Sequence, residues 1–298
     1  MSSVDSGATL GFIGLGVMGR SMASHLLAAG YRVQVHTRTR EKANSLIERG
    51  AVWCEVASDV ARGAAAVISM VGYPSDVEFL YLGTGGLIHR AEKGTVLIDM
   101  TTSCPSLAET IALEGEARGI DVLDAPVSGG DLGAREARLV IMVGGKLDAF
   151  NRARPLFERM GRSIERLGGP GSGQRCKMAN QVAVAIGMVA WIESLVLGEA
   201  GGLDPQKVQA LLAGGAAGSW AFSHLAPRAL ASDFSPGFFV KHLVKDIGIA
   251  LKFANEKGVR MPGLETASQL YRMLDEAGFG ERGTQALYAF CRARAGLA

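Results

Sequence analysis

TLGFIGLGVMGRSMASHLLAAG, Thr9 to Gly30, decides the fold. A short apolar run passes into a helix-forming stretch across three glycines, Gly14, Gly16 and Gly19. Glycines so spaced permit a tight turn, close approach of backbone to a pyrophosphate, and close packing of helix on strand, with the helix-start N–H groups facing the anion. Alone, the pattern also fits an ordinary strand-to-helix turn. Its context favours the nucleotide reading, which brings Leu15, Val17 and Met18 into the same cofactor-binding turn. As far as about Leu167, the β-rich runs RVQVHT, AVISMVG, TVLIDMT, DVLDAPV and LVIMVGG alternate with amphipathic stretches. That alternation predicts a mostly parallel sheet with helices on both faces.

After GGPGSG, Gly168 to Gly173, nearly everything reads as helix with Gly or Pro punctuation. The expected fold class is therefore an α/β Rossmann-type N-terminal domain, residues 1–168, followed by an all-α C-terminal domain, residues 169–298, for substrate and oligomerisation. A continuous helix over Gln174 to Ala200 would be about 40 Å long, at ~1.5 Å per residue.

The whole chain allows this division. At 298 residues and 48% hydrophobic composition it can bury two ordinary cores. Its 31 basic and 29 acidic residues leave a formal charge of +2, too little to make nucleic acid or a membrane surface the expected partner, so a small molecule is expected instead. Cys54, Cys104, Cys176 and Cys291 lack the paired spacing of a zinc site or redox dithiol, and reduced thiols in a cytoplasmic protein are expected. The opening MSSVDSGATL has no signal-peptide pattern. The apolar run Val182 to Ile192 is short of the roughly 20 residues a bilayer span needs and reads as a buried helix. The histidines, at 25, 36, 89, 224 and 242, form no ligand-spaced cluster, and no metal is expected.

The second strand ends in QVHTRTREK, Gln34 to Lys42. An aspartate there would accept hydrogen bonds from the adenosine 2′-hydroxyl and repel a 2′-phosphate. Thr37 and Arg38 would instead donate to that phosphate and neutralise it, with Arg40 and Lys42 adding to the field. The plain alternative is that Arg38 is a solvated strand-end charge.

Downstream, GSGQRCKMANQ places Lys177, Asn180 and Gln181 at i, i+3 and i+4 on one face of an otherwise apolar helix. An arbitrary lysine there would snorkel to water. A glycine-rich junction just before the stripe, and the preference of ligand clefts for domain interfaces, point to a site instead. Partial desolvation would also bring a lysine toward the range useful for proton transfer. DAPVSGG, Asp124 to Gly130, offers the Ser128 hydroxyl and the Gly129 and Gly130 amides to a carboxylate, or is just another turn. In PGFFVKHLVKDIGIALKFA, Lys245 and Asp246 read most simply as a solvated pair.

Together, GFIGLGVMG, IDMTTSCP, DAPVSGG, GSGQRCKMANQ, VKDIGIAL and GTQAL resemble the β-hydroxyacid dehydrogenase family in order and spacing, over nearly the whole chain. MVGYPSDV, KMANQ, GAAGSW and FFVKH look most like a bacterial branch described only as 3-hydroxyisobutyrate dehydrogenase-like. The resemblance implies an NADP(H)-preferring oxidoreductase, NAD(H) possible, transferring hydride between nicotinamide and a small β-hydroxyacid or semialdehyde acid. It makes Lys177 the catalytic lysine and Asn180 the group that orients lysine or substrate. Ser128, Gly129 and Gly130 become carboxylate-binding elements, Thr102 lies near the nicotinamide or its ribose, Lys245 closes the site, and Phe238 forms part of the substrate wall. Val71-Gly72-Tyr73 stands where many relatives carry a Leu-Pro pair against the cofactor. Gln181 stands where many carry a second asparagine, and Thr37-Arg38 replaces the Asp-Arg of NAD-preferring relatives. A homodimer or homotetramer is expected. The alternatives are an NAD-dependent 3-hydroxyisobutyrate dehydrogenase proper and a catalytically inactive cofactor-binding interaction module. A 6-phosphogluconate-type enzyme would need a longer helical domain, and imine reductases generally replace the lysine.

Overall fold

The computed structural model describes residues 4, 5 and 7–297. They form two compact units, the first running to Lys177 and the second beginning at Met178.

The first unit holds strands β1 (Thr9–Ile13), β2 (Arg32–His36), β3 (Val52–Trp53), β4 (Ala66–Ser69), β5 (Val96–Asp99), β6 (Asp121–Asp124), β7 (Val127–Ser128), β8 (Leu139–Gly144) and β9 (Gly161–Gly168). They lie in the order β3-β2-β1-β4-β5-β6-β8-β7, with β9 pairing β8. Pairing is parallel from β3 through β6, antiparallel for β8 against β6 and β7, and parallel again between β8 and β9. Helices α1 (Gly19–Ala28), α2 (Asn44–Ile47), α3 (Pro74–Leu82), α4 (Leu87–Arg90), α5 (Pro105–Glu116), α6 (Gly130–Arg135) and α7 (Leu147–Phe157) complete it.

Successive strand residues face opposite sides, so uninterrupted apolar strands feed two cores at once. Leu10, Phe12, Val33, Val35, Ala66, Ile68, Val96 and Ile98 pack with Met22 and Leu26 of α1 and with Ala153 and Phe157 of α7. Their neighbours Ile13, Val67 and Leu97 pack on the other face with Val77 and Tyr81 of α3, Leu87 of α4 and Ile111 of α5. The strand order reverses between β1 and β4, the switch point whose carboxyl-end crevice takes nucleotides in sheets of this type.

The next helix, α8 (Ser172–Ala200), starts in the first unit and continues into the second. The units therefore divide nine residues beyond the glycine-rich boundary suggested by composition. Hydrogen bonding explains the difference. Asp124, at the end of β6, accepts from Gly171 N through Oδ1 and from Gln174 N through Oδ2, each at 2.8 Å. Gln174, fully buried, donates through Nε2 to Thr101 O at 2.7 Å and accepts Ser103 N at 2.9 Å. At Gly173 a Cβ would come within 2.4 Å of Met142 O and 2.6 Å of Asp124 O, so only glycine lets the helix start approach the strand ends.

In the second unit, α8 is followed by α9 (Pro205–Leu212), α10 (Trp220–His224), α11 (Ala226–Leu230), α12 (Val240–Glu256), α13 (Pro262–Leu274) and α14 (Leu287–Arg294). Ala185, Met188, Ile192 and Leu195 give α8 a buried face. Trp191 stacks on Phe222 at 6.2 Å, and Arg292 holds Glu199 through Nε and a terminal nitrogen at 2.9 and 2.7 Å. By length and composition the full α8 could cross a membrane, unlike the shorter run Val182 to Ile192 considered alone. Its inward polar groups, Lys177 and Gln181, are hydrogen-bonded to protein partners, which marks a core helix. Ala179, Ala183, Ile186, Ala190 and Leu197 form an exposed stripe along it.

Burial pushes the Asp124 carboxyl up to about 6, against the pull of the Gln174 and Gly171 N–H groups, and the nearby Asp99 charge adds to the rise. Between the unfolded value of 3.8 and about 6 the folded chain binds more protons than the unfolded chain. Its contribution to stability is therefore full below that window and lost as pH rises through it. Urea unfolding of wild type against Asp124→Asn should show the wild-type advantage shrinking from pH 4 to pH 7. At pH 7, where that advantage is gone, the variant should still be weaker by about 1–3 kcal/mol, because its NH2 faces one of the two backbone N–H groups.

Candidate active site

At the switch point the three glycines answer to different neighbours. Gly14 has φ +94, and a Cβ there would lie 2.2 Å from Met70 O. A Cβ on Gly19 would meet Gly14 O at 1.9 Å. Both are demanded by the protein's own packing. Gly16 is not, since a Cβ there meets nothing within 4 Å. Its missing side chain leaves open space beside the start of α1, where Met18 at the N-cap provides no side-chain acceptor for the first-turn N–H groups. A cradle that a Cβ would fill, at the positive end of a helix, suits a dinucleotide pyrophosphate. Leu15 is buried below the turn, whereas Val17 is exposed above it.

Thr37 and Arg38 follow directly on β2. Thr37 is half-buried, while the Arg38 side chain is 83% exposed and ion-pairs with Asp76 at 3.6 Å. Asp76 also accepts Tyr73 N at 3.1 Å at the start of α3. Across the switch point, Val71 N donates to Thr101 Oγ1 at 3.0 Å, tying the Val71-Gly72 segment to the loop after β5. Thr102 is the next, half-buried residue of that loop.

Lys177 lies one turn into α8, 6% exposed, and its Nζ donates to Val127 O at 2.8 Å. Val127 immediately precedes Ser128, the last residue of β7, and Gly129 and Gly130 (φ +127 and +62) then turn the chain into α6. Two segments singled out separately in the sequence thus meet within the first unit: the lysine and the Ser128-Gly129-Gly130 turn.

The second unit holds the other polar group. Asn180 Nδ2 donates to Gln181 Oε1 at 2.7 Å, and Gln181 Nε2 donates to Asp246 Oδ2 at 2.6 Å. Lys245 Nζ stands 2.9 Å from Asp246 Oδ1, with the two side chains 13% and 3% exposed. The solvated-pair reading of Lys245 and Asp246 is therefore wrong. On α12 Asp246 is buried and Lys245 mostly so, and Asp246 is the acceptor for α8. His242, one turn earlier, is held below the usual imidazole range by burial first and then by the Lys245 charge. Phe238 lies half-buried two residues before α12, with its carbonyl accepting Thr284 N at 3.0 Å.

Comparison with known proteins accounts for both units. Residues 9–169 match the family described as the NAD binding domain of 6-phosphogluconate dehydrogenase, and residues 171–291 match the one described as NAD-binding of NADP-dependent 3-hydroxyisobutyrate dehydrogenase. The chain belongs to the β-hydroxyacid dehydrogenase family. It is 51% identical to the uncharacterized oxidoreductase YkwC of Bacillus subtilis, over 94% of this chain and 97% of that one. It is 40% identical to the 3-hydroxyisobutyrate dehydrogenase of Pseudomonas aeruginosa, over 84% and 86%. The solved Mycobacterium tuberculosis 3-hydroxyisobutyrate dehydrogenase with L-serine superposes with a TM-score of 0.86 at 30% identity, covering 96% of this chain and 99% of that one. This β-hydroxyacid dehydrogenase is accordingly an oxidoreductase with a nicotinamide-dinucleotide domain.

Within this family member, two residues at the base of the site carry no motif signal of their own. Asp124 opens DAPVSGG yet acts on backbone N–H groups about fifty positions away, and Gln174 looks like any first-turn glutamine. The one available hint was a carboxylate ending an otherwise apolar strand.

The glycines allow a clean separation of packing from binding. Gly16→Ala should leave the thermal midpoint within about 2 °C of wild type, since the site has room and an allowed φ, yet weaken dinucleotide binding by about tenfold or more in a fluorescence titration. Gly14→Ala should instead lower stability by roughly 1–3 kcal/mol.

Proposed function

We propose that this enzyme transfers hydride between NADP(H) and a small β-hydroxyacid or semialdehyde acid, with Lys177 as its general acid and base. The observation that carries the reading is the buried Lys177 amine held against Val127 O, the residue just before Ser128 and the Gly129 and Gly130 turn. The nicotinamide, when bound, supplies or accepts the hydride. An ammonium has three N–H donors, and Val127 O takes one of them, which aims the group. In reduction, Lys177 Nζ hydrogen-bonds the substrate carbonyl oxygen, stabilises the developing negative charge and gives that oxygen a proton. In oxidation the same nitrogen takes the hydroxyl proton. Ser128 and the Gly129 and Gly130 amides hold the substrate carboxylate, which fixes the carbon that reacts. Asn180 orients lysine or substrate, Thr102 lies toward the nicotinamide side, and Phe238 and Lys245 complete the substrate wall.

The NADP(H) preference rests on Thr37 and Arg38 at the end of β2 and on the NADP-dependent enzymes for which the second matching family is described. The Arg38–Asp76 pair is exposed and weak, so a 2′-phosphate dianion displaces the single carboxylate. The exposed stripe Ala179, Ala183, Ile186, Ala190 and Leu197 supports self-association, and light scattering should give a mass of at least two chains. Four free cysteines suit a reducing cytoplasm.

Lys177→Ala should retain NADPH affinity and lose about 10²–10⁴-fold in kcat. Near wild-type turnover would remove the acid/base role. Arg38→Asp should lower kcat/KM with NADPH by about tenfold or more and spare NADH, as a lost charge-assisted contact requires. Equal use of both cofactors by the wild type would refute the preference.

A further inference from the structure

The bonds joining Asn180, Gln181 and Asp246 run in one direction only, and Asp246 sets it. Its carboxylate is 2% exposed and, ionised, can only accept. Gln181 must therefore present its NH2 to Asp246, and does so at 2.6 Å. With that end committed, its Oε1 is the only atom left to face Asn180, which must donate through Nδ2, as it does at 2.7 Å. Gln181 is 1% exposed, so no water replaces either bond if the amide turns over. Lys245 stands beside the other oxygen, Oδ1. It is an ion pair at 2.9 Å, off-axis for a hydrogen bond, and does not compete for the oxygen that holds Gln181.

An asparagine side chain has one donating and one accepting end. With one Nδ2 hydrogen given to Gln181, the amide cannot turn over, and Oδ1 stays on the branch away from Gln181. We infer that the buried Gln181–Asp246 pair locks the Asn180 amide with its carbonyl oxygen outward, so that Asn180 serves the reaction as an acceptor for a hydroxyl or an ammonium. Gln181 and Asp246 are positioning residues, acting through Asn180. The inference rests on the proposed place of Asn180 in the catalytic machinery.

Reversing the lock tests it. N180D alone sets an oxygen against Gln181 Oε1, which Asp246 prevents from turning, and D246N alone lets both amides scramble. Each should lower kcat/KM by about tenfold or more, the scale of a misdirected buried hydrogen bond, with NADPH affinity unchanged. The double variant N180D/D246N lets Gln181 turn as a unit. Gln181 then donates to the new carboxylate and accepts from the new amide, while an acceptor oxygen still faces outward. Its kcat/KM should exceed that of N180D by about tenfold, a rescue that a merely structural contact does not produce in a double-mutant cycle. Additive losses at equal thermal midpoints would overturn the inference, as would wild-type kcat/KM in D246N. If D246N proves unstable, N180D with Q181M, which removes the opposed oxygen, should recover activity over N180D alone, and failure to recover is equally fatal. Lys177→Ala, assayed in parallel, separates the two readings. Should it keep turnover, the proposed function fails. Should it abolish turnover while the cycle is additive, only the lock fails.

Discussion

Two oxygens of one buried aspartate carry the start of α8. Asp124 ends a central strand and accepts both Gly171 N and Gln174 N, so the helix cannot slide or rotate without leaving a backbone N–H unpaired away from water. Gln174 repeats the arrangement toward the loop after β5. Lys177 follows three residues on, which is why its Nζ reaches Val127 O and the Ser128 turn. Burial is the source of the raised carboxyl pKa at Asp124, and the two hydrogen bonds pull against it. Position at the lysine is thus obtained at the expense of an uncomfortable carboxylate beneath it.

The two polar systems differ in what they hold fixed. In the first unit, Asp124, Gln174 and Lys177 bond mainly to backbone groups, whose places are set by the sheet, so they determine where a side chain is. In the second, Asn180, Gln181 and Asp246 bond to one another through side chains. Amides that can be turned over need something unable to donate at the end of the row, and the carboxylate does that. One system fixes location and the other fixes polarity.

At the nucleotide end the constraint is steric rather than electrostatic. Gly14 and Gly19 are required by neighbouring backbone, and Gly16 by nothing inside the chain. Arg38, by contrast, stands in solvent, ion-paired with Asp76. The cradle is rigid and general for dinucleotides, while the group that discriminates among them is loosely held and salt-sensitive.

Sequence alone determined the α/β unit, the helical unit after it, the glycine turn, and the stripe Lys177, Asn180, Gln181, because all of these are local periodicities of two or of three to four residues. The family matches divide at the glycines, where composition changes, while the compact units divide at Lys177, because hydrogen bonding continues past the glycines. The sequence left Lys245 and Asp246 as an ordinary solvated pair. Tertiary structure alone decided the partners. Lys177 and Val127 are 50 positions apart, Gln181 and Asp246 65, and Gln174 and Thr101 73. No local pattern encodes a bond across such separations, because a buried polar group takes whatever acceptor the packed strands and helices bring to it.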